Sequence, residues 1–275
     1  MKILLTGGAG YIGSNVVLKL IDSGHKVHIV DNLSRGDNRL ISKNAAFTNC
    51  NIQDTAIITN IIKNNQFDAL MHFAGFIEVE ESVKYPEKYF LNNTDNAISL
   101  FETCKKNGLK NIIFSSTAAI YGNTDGEYVN ENSKLNPINP YAESKLKTEN
   151  FLIENKNDFN YIILRYFNVA GADPDLRSGQ ISKNSTHLIK ILSEVITNQR
   201  KFISIYGNDY NTHDGTAVRD YIHVTDLAII HLLATEFLIK NKNSEIFNCG
   251  YGKGLSVLDI IKTANKLYKN TVSFE

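Results

Sequence analysis

Two residues four apart, Tyr141 and Lys145, lie in the segment NPYAESKLKTE. On a helix that spacing sets a phenol and an ammonium on one face. Such a pair recurs by chance in many helices, so its position matters: it follows the apolar run Ile112–Ser115 and the hydroxyl-bearing exit Ser115, Ser116, Thr117. A phenol takes a proton from an alcohol near neutrality only if its pKa falls from ~10 to ~7, which is about 3 units or roughly 4 kcal/mol. An ammonium ~6 Å away at an effective dielectric of ~20 supplies roughly 2.8 kcal/mol. The remainder calls for a second positive charge, and an oxidised nicotinamide ring is one.

A place for that ring is written at the other end of the chain. The run TGGAGYIGS holds Gly7, Gly10 and Gly13 between an apolar strand and an apolar-periodic helix. A tight strand-to-helix turn without Cβ atoms lets backbone N–H groups and a helix N-terminus approach a pyrophosphate. Asp31 follows at the end of the second strand, where a carboxylate accepts from adenosine-ribose hydroxyls. The same carboxylate repels a 2′-phosphate, so NAD is expected rather than NADP. Arg35 is read as a solvated loop charge and not as a 2′-phosphate ligand.

The elements that must position these groups alternate. Strands are predicted at Lys2–Thr6, Lys26–Val30, Ala46–Cys50, Ala69–Phe73, Asn111–Ser115 and Tyr161–Arg165, with helices at Tyr11–Asp22, Ala56–Lys63, Pro86–Lys106 and Pro140–Glu154. Short β-branched strands separated by helices predict an α/β fold with a doubly wound parallel sheet. Residues Ala170–Ser185 are rich in Gly, Pro, Asp and Ser and read as a long functional loop. Beyond them come a helix (His187–Asn198), a strand (Phe202–Tyr206), a helix (Val224–Lys240), a strand (Ile246–Cys249) and a helix (Val257–Leu267).

Composition bounds the rest. The 275 residues carry 29 basic and 29 acidic side chains, which argues against a nucleic-acid or anionic-membrane partner held by bulk charge. No stretch approaches the ~18 uncharged apolar residues of a bilayer span, and glycines interrupt the opening MKILLTGG before a signal-peptide core forms. Cys50, Cys104 and Cys249, without C-x-x-C spacing, read as reduced, packed thiols of a cytoplasmic protein. No metal is expected: His25 and His28 lack a grouped cysteine or acidic partner. His72 reads as a core histidine, and His223 and Asp226 as caps of the helix that follows.

Taken together, TGGAGYIG, SSTAAIYG, YAESK, RYFNVAGA and RDYIHV resemble the extended short-chain dehydrogenase/reductase family. HFAGFIEVEESV and YGNDYNTHDGTAVRDYIHVTDLA resemble its UDP-glucose 4-epimerases in particular. The resemblance implies a Rossmann domain over residues 1–168, with 223–249 packing back onto it, and a smaller lobe for the UDP-sugar over 169–222 and 250–275. It implies an NAD-dependent isomerase that interconverts UDP-glucose and UDP-galactose through a 4-keto-sugar. In that reading Tyr141 is the base at the sugar 4-OH, Lys145 lowers its pKa and holds the nicotinamide ribose, and Thr117 bridges Tyr141 and the 4-oxygen. Contacts to NAD are implied for Tyr11, Ile12, Asp31, Asn32, Asn51, Ile52, Phe73, Ala74, Gly75, Asn92, Tyr166 and Phe167, beside the three glycines. Asn168, His187, Leu188, Tyr206 and Arg219 are implied to hold the UDP-sugar, Arg219 at the diphosphate. A homodimer built on Pro86–Lys106 and Pro140–Glu154 is implied as well.

Departures from the family pattern carry expectations of their own. Asn51 stands where the family has an Asp that accepts from adenine, so NAD binding is expected to be weaker by up to about tenfold. Glu80 replaces a glycine beside the sugar, and Asp95 and Asn96 stand for Asn and Gly. The chain ends at TVSFE where the family continues, so the substrate lobe is expected to be incomplete, without a second Arg and an Asp that clamp the nucleotide. Two other outcomes are open: an epimerase of UDP-N-acetylhexosamines, or an NAD-binding remnant without turnover. A 4,6-dehydratase is disfavoured because Ala118 and Ala119 occupy the place of its Asp-Glu pair.

Overall fold

The computed structural model describes residues 1–124, 128–182, 185–268 and 272–275. Strand β1 (Lys2–Thr6) is buried along nearly its whole length, since it lies inside a sheet whose two faces are covered by helices. Beside it run β2 (Lys26–Asp31), β3 (Ala46–Asn49), β4 (Ala69–His72), β5 (Asn111–Thr117), β6 (Asn160–Tyr166) and, after β7 (Asn168–Ala170) and β8 (Val218–His223), the edge strand β9 (Glu245–Cys249). The order is β3-β2-β1-β4-β5-β6-β9, and every pair is parallel. A second sheet of three strands joins β7 and β8 to β10 (Gly254–Ser256).

Helices α1 (Tyr11–Asp22), α2 (Thr55–Lys63), α3 (Val79–Lys84), α4 (Pro86–Tyr89), α5 (Asn96–Lys106), α6 (Pro140–Glu154), α7 (Leu188–Ile196), α8 (Val224–Asn241) and α9 (Val257–Leu267) complete the chain. The alternation of strand side chains divides the interior in two. Ile3, Leu5, Ile113, Ile162 and Leu164 pack under α1 and α8, whereas Leu4, Ile112, Phe114, Tyr161 and Ile163 pack under α2, α5 and α6. A smaller cluster, Leu192, Val195, Ile203, Ile261, Ala264 and Val272, joins α7 to α9.

The chain starts at β1 in the middle of the sheet, runs outward to β3, and crosses back to β4. Ligands of such sheets bind where the order reverses, beyond the carboxyl ends of the strands. Here that point lies between the turns after β1 and β4, and the two touch: a Cβ on Gly7, whose φ is +77°, would lie 2.6 Å from the Ala74 nitrogen.

The expected doubly wound sheet is present, with three differences. Pro86–Lys106 is not one regular helix; residues Phe90–Asp95 form a π-helical stretch between α4 and α5. Phe202–Tyr206 is not a strand of either sheet; among the described residues it bridges at Ile203–Phe274, pairing with the short segment 272–275. Strands β7, β8 and β10 have too little apolar alternation to be read from sequence, and they form because they pair with one another. In the long loop, Lys183 and Asn184 lie outside the described residues, as does Thr271 of the closing TVSFE.

Candidate active site

The glycine turn packs backbone against backbone. A Cβ on Gly13 would fall 2.3 Å from the Gly7 carbonyl oxygen, and one on Gly10 3.3 Å from the same atom. Helix α1 begins at Gly10 without a side-chain cap, which leaves its first-turn N–H groups for an anionic ligand. The cradle therefore has the form a dinucleotide pyrophosphate requires. Behind it, the Tyr11 hydroxyl donates to the Gly171 carbonyl at 2.6 Å, while Ser14 and Asn15 meet the Ser178 hydroxyl at 2.6 and 3.1 Å. The loop after β7 is thus bolted onto α1. Ile12 packs at the edge of the α1–α8 core.

Asp31 is buried, accepting from the Ala9 N–H at 3.0 Å and the Leu33 N–H at 2.8 Å, so its carboxylate is aimed before any ribose arrives. Asn32 donates to the Asn51 side-chain oxygen at 2.9 Å, and Ile52 points into the core. Arg35 is not simply a solvated charge. Its guanidinium pairs with Glu78 at 2.8 Å and Glu81 at 2.9 Å, tying the loop after β2 to α3. Glu80 lies exposed in the first turn of α3, and its φ is not positive, so the backbone takes it without strain.

The expected catalytic residues converge. Pro140 at the first position and the Asn139 side chain, which accepts from the Ala142 N–H at 2.9 Å, fix where α6 begins. That start puts Tyr141 beside the end of β5, where the Thr117 side chain is close enough to favour the phenolate. One turn later Lys145, 4% exposed, donates to the Ser115 carbonyl at 2.7 Å and stands 4.8 Å above the Phe114 ring. Burial holds Lys145 down at about 8, against the opposing pull of Glu149. Burial raises Tyr141 above its ordinary value, and Thr117 offsets only part of this. The protein alone therefore keeps the phenol protonated.

Around the pair, Tyr166 hydrogen-bonds Ser115, and its phenol is pushed up by burial. Phe73 stacks at 4.7 Å on His231, and a Cβ on Gly75 would come 3.7 Å from the Lys145 ammonium. Phe167 donates its N–H to the Cys249 carbonyl at 3.4 Å. His72 is the expected core histidine: it bonds Thr6 at 2.7 Å, and burial lowers it to about 3. The side chain of His223 caps α8 by accepting from the Thr225 N–H.

Sequence reading missed Asn93. Its carboxamide accepts from the Phe76 N–H at 2.8 Å, donates to the Phe76 carbonyl at 2.9 Å and reaches Ser144 of α6 at 3.2 Å. The π-helical stretch sets it beside Asn92, which donates to it at 3.0 Å. The only hint in the sequence was an Asn pair inside an otherwise helical run.

The expected sugar-nucleotide residues are not drawn together in this way. Asn168 opens β7, His187 caps the start of α7 with Leu188 next to it, Arg219 lies exposed on β8, and Tyr206 is 86% exposed. Among the described residues no hydrogen bond or ion pair links these side chains to one another. His213, Asp214 and Asp259 also cluster, but Ser256 and Thr216 already satisfy the two carboxylates.

Comparison with known proteins agrees with this geometry. Residues 3–250 match the model of the NAD dependent epimerase/dehydratase family. The chain is 42% identical over 268 residues to UDP-glucose 4-epimerase of Azospirillum brasilense, covering 97% of this chain and 77% of that protein. UDP-glucose 4-epimerase of Stenotrophomonas maltophila, solved with bound NAD and formylated UDP-arabinopyranose, superposes with a TM-score of 0.96 at 35% identity, over 100% of this chain and 85% of that one. The UDP-Glc/GlcNAc 4-epimerase of Campylobacter jejuni superposes with a TM-score of 0.84 at 42% identity, over 100% and 85%.

Proposed function

We propose, from the premise that this chain belongs to the NAD dependent epimerase/dehydratase family, that it inverts C4 of a UDP-linked hexose and interconverts UDP-glucose and UDP-galactose. The observation that carries the reading is that α6 brings Tyr141 and Lys145 to the exit of β5 at the carboxyl edge of the sheet, Tyr141 beside Thr117 and Lys145 on the Ser115 carbonyl. NAD, when bound, supplies the oxidant that takes hydride from C4 and gives it back. Gly7, Gly10, Gly13, Asp31, Asn32, Phe73 and Tyr166 hold it. With Asp31 at the ribose and Arg35 engaged by two glutamates, Arg35 is not free to receive a 2′-phosphate.

Tyr141 removes the 4-OH proton through or beside Thr117, and it does so only when positive charge is close, since burial otherwise keeps it protonated. Lys145 is that charge within the protein. After the 4-keto-sugar turns over, Tyr141 returns the proton. Turnover of the sugar requires a firm hold on UDP and a loose one on the hexose, so the lobe formed by residues 169–222 and 250–275 grips chiefly through charge-assisted bonds from Arg219 to the diphosphate. The three buried thiols suit the cytoplasm, and among the described residues no helix is long and apolar enough to cross a membrane. Faces of α5 and α6 join two copies into a homodimer.

A coupled assay for UDP-galactose formed from UDP-glucose, with Tyr141→Phe as control, tests the reading; absence of product from the wild-type chain with NAD overturns it. The likeness to a UDP-Glc/GlcNAc enzyme makes UDP-N-acetylglucosamine the second substrate to run in parallel.

A further inference from the structure

A carboxylate with no exposed side-chain surface and a guanidinium 2% exposed lie behind the catalytic pair. Glu149 is on α6, four residues beyond Lys145, and Arg165 is inside the apolar strand β6. Their contact is forked: Arg165 Nη2 meets Glu149 Oε2 at 2.6 Å, and Nε lies 3.2 and 3.1 Å from the two oxygens. Ser116 also donates its hydroxyl to Glu149. Ser116 and Arg165 are register partners across β5 and β6, so one carboxylate fastens a helix to two strands at a single rung.

That rung is the one between the catalytic contacts. Ser115, just before Ser116, offers its carbonyl to Lys145, and Thr117, just after, stands beside Tyr141. Ser116 lies between the two contacts, so gripping it from α6 fixes the height of β5 at which the Ser115 carbonyl meets Lys145 and Thr117 stands beside Tyr141. The free arm of Arg165 donates to Tyr121 at 3.0 Å, whose hydroxyl donates to Asn248 of β9 at 2.7 Å. A buried ion pair is weak evidence of stability, since apolar side chains of similar volume do as well or better in its place. Something other than stability keeps this one at the catalytic rung.

We propose that Glu149 is a positioning residue for the epimerisation, clamped by Arg165 and Ser116 so that α6 and the exit of β5 hold Tyr141, Lys145 and Thr117 in register. The proposal rests on the functional reading above. The titratable groups that act on Lys145 are Glu149 on α6 and His72 on β4, with Arg165 behind Glu149, while Tyr166 on β6 acts on Tyr141. Burial keeps His72 neutral, so Glu149 is the group that favours the ammonium.

The test is Glu149→Gln/Arg165→Met, which removes both charges together, with Glu149→Asp as the variant that keeps the charge and shortens the reach. Melting temperature and circular dichroism report the fold. The double variant is expected to stay folded and to lose at least about tenfold in kcat with KM within about twofold, the mark of misplaced reacting groups. Its alkaline limb of kcat should move about one pH unit lower, because Lys145 gives up its proton sooner without the carboxylate. Glu149→Asp should lose kcat and keep the limb. A second readout needs no turnover: Tyr141 is titrated by tyrosinate absorbance with NAD bound, as the difference from the same protein carrying Tyr141→Phe. In the double variant it should move up by about one unit.

Wild-type kcat and an unmoved tyrosinate titration in a folded double variant overturn the proposal. A wild-type chain that makes no UDP-galactose, yet shows the tyrosinate shift on substitution, overturns the functional reading and leaves the positioning role supported. If the double variant aggregates, Ser116→Ala cuts one tie and keeps both charges. It should lower kcat roughly threefold at constant KM, and no change there also overturns the proposal.

Discussion

The carboxyl edge of the seven-stranded sheet and the three-stranded sheet beside it are built on opposite plans. At the edge, Tyr141, Lys145 and Thr117 stand on two adjacent elements, Lys145 bonded to the Ser115 carbonyl and Thr117 placed beside Tyr141. Around the three-stranded sheet, Asn168, His187, Tyr206 and Arg219 stand on four separate stretches, and Arg219 donates to its neighbour's carbonyl at 2.7 Å. Chemistry needs groups held to fractions of an ångström before substrate arrives. Gripping a diphosphate does not, because a charged ligand can itself gather flexible cations. On the proposed function, the difference separates a preorganised half from a half that its ligand would organise.

If that separation is real, substitutions in the two halves fail in different ways. The largest effect is expected of Tyr141→Phe, which keeps the ring and loses the acid–base group. Its kcat should drop by about 10²–10⁴-fold, with KM, NAD content and melting temperature near wild type. Arg219→Ala should do the reverse. An exposed charge-assisted contact is worth ~1.5–3 kcal/mol, so KM for the UDP-sugar should rise by roughly 10- to 100-fold with kcat little changed. Steady-state kinetics separate the two, and a fall in kcat for Arg219→Ala would break the comparison.

The same division explains what the sequence made legible. Glycines at a strand-to-helix turn, Asp31 at the next strand end and a Tyr–Lys pair one turn apart are local patterns, and each emerges where its spacing places it. The doubly wound sheet followed from apolar runs that need burial on both faces. What escaped was made by partners far away in the chain. Asn93 acts on a loop seventeen residues earlier and on a helix fifty-one later, contacts no local pattern announces. Arg165 did leave a trace, a charge within YIILRY that an apolar strand tolerates only when paired, but its partner Glu149 reads as one more helix-surface carboxylate. Strands β7, β8 and β10 are set by pairing rather than by composition, and Arg35 reads as solvated because Glu78 and Glu81 are more than forty residues away.

A pH profile sharpens the comparison from inside the preorganised half. Burial holds Lys145 at about 8, so its ammonium is intact below that pH and lost above it. Activity should therefore decline on the alkaline side, by about tenfold one unit beyond the midpoint. Folding stability runs the other way. Lys145 has a folded value of about 8 against its ordinary 10.5, so between those values the unfolded chain holds more protons and this group makes the fold more stable as pH rises. A loss of kcat there without a loss of melting temperature identifies the titration as catalytic. Arg219→Ala should leave that limb where it is.

The smallest effect tests whether the preorganised half is complete at its adenosine end. Asn51→Asp restores the charged acceptor expected for the adenine amine, a change from ~0.5–1.5 to ~1.5–3 kcal/mol that by itself strengthens NAD binding up to about tenfold. The surroundings oppose it. The Asn51 backbone N–H donates to Asp54 Oδ2 at 2.9 Å, and its side-chain nitrogen lies 3.4 Å from the same oxygen, so a carboxylate placed there faces another. Asn32, which donates to the Asn51 oxygen at 2.9 Å, already occupies part of its accepting capacity. Two nearby like charges at the surface cost on the order of 1 kcal/mol, so Asn51→Asp alone should improve the NAD dissociation constant by no more than about threefold. Asn51→Asp/Asp54→Asn removes the repulsion and should recover most of the tenfold, measured by calorimetry on cofactor-free protein. Equal affinities for the single and double variants would mean that Asp54 does not oppose the new carboxylate and that the adenosine end is held by contacts other than this pair.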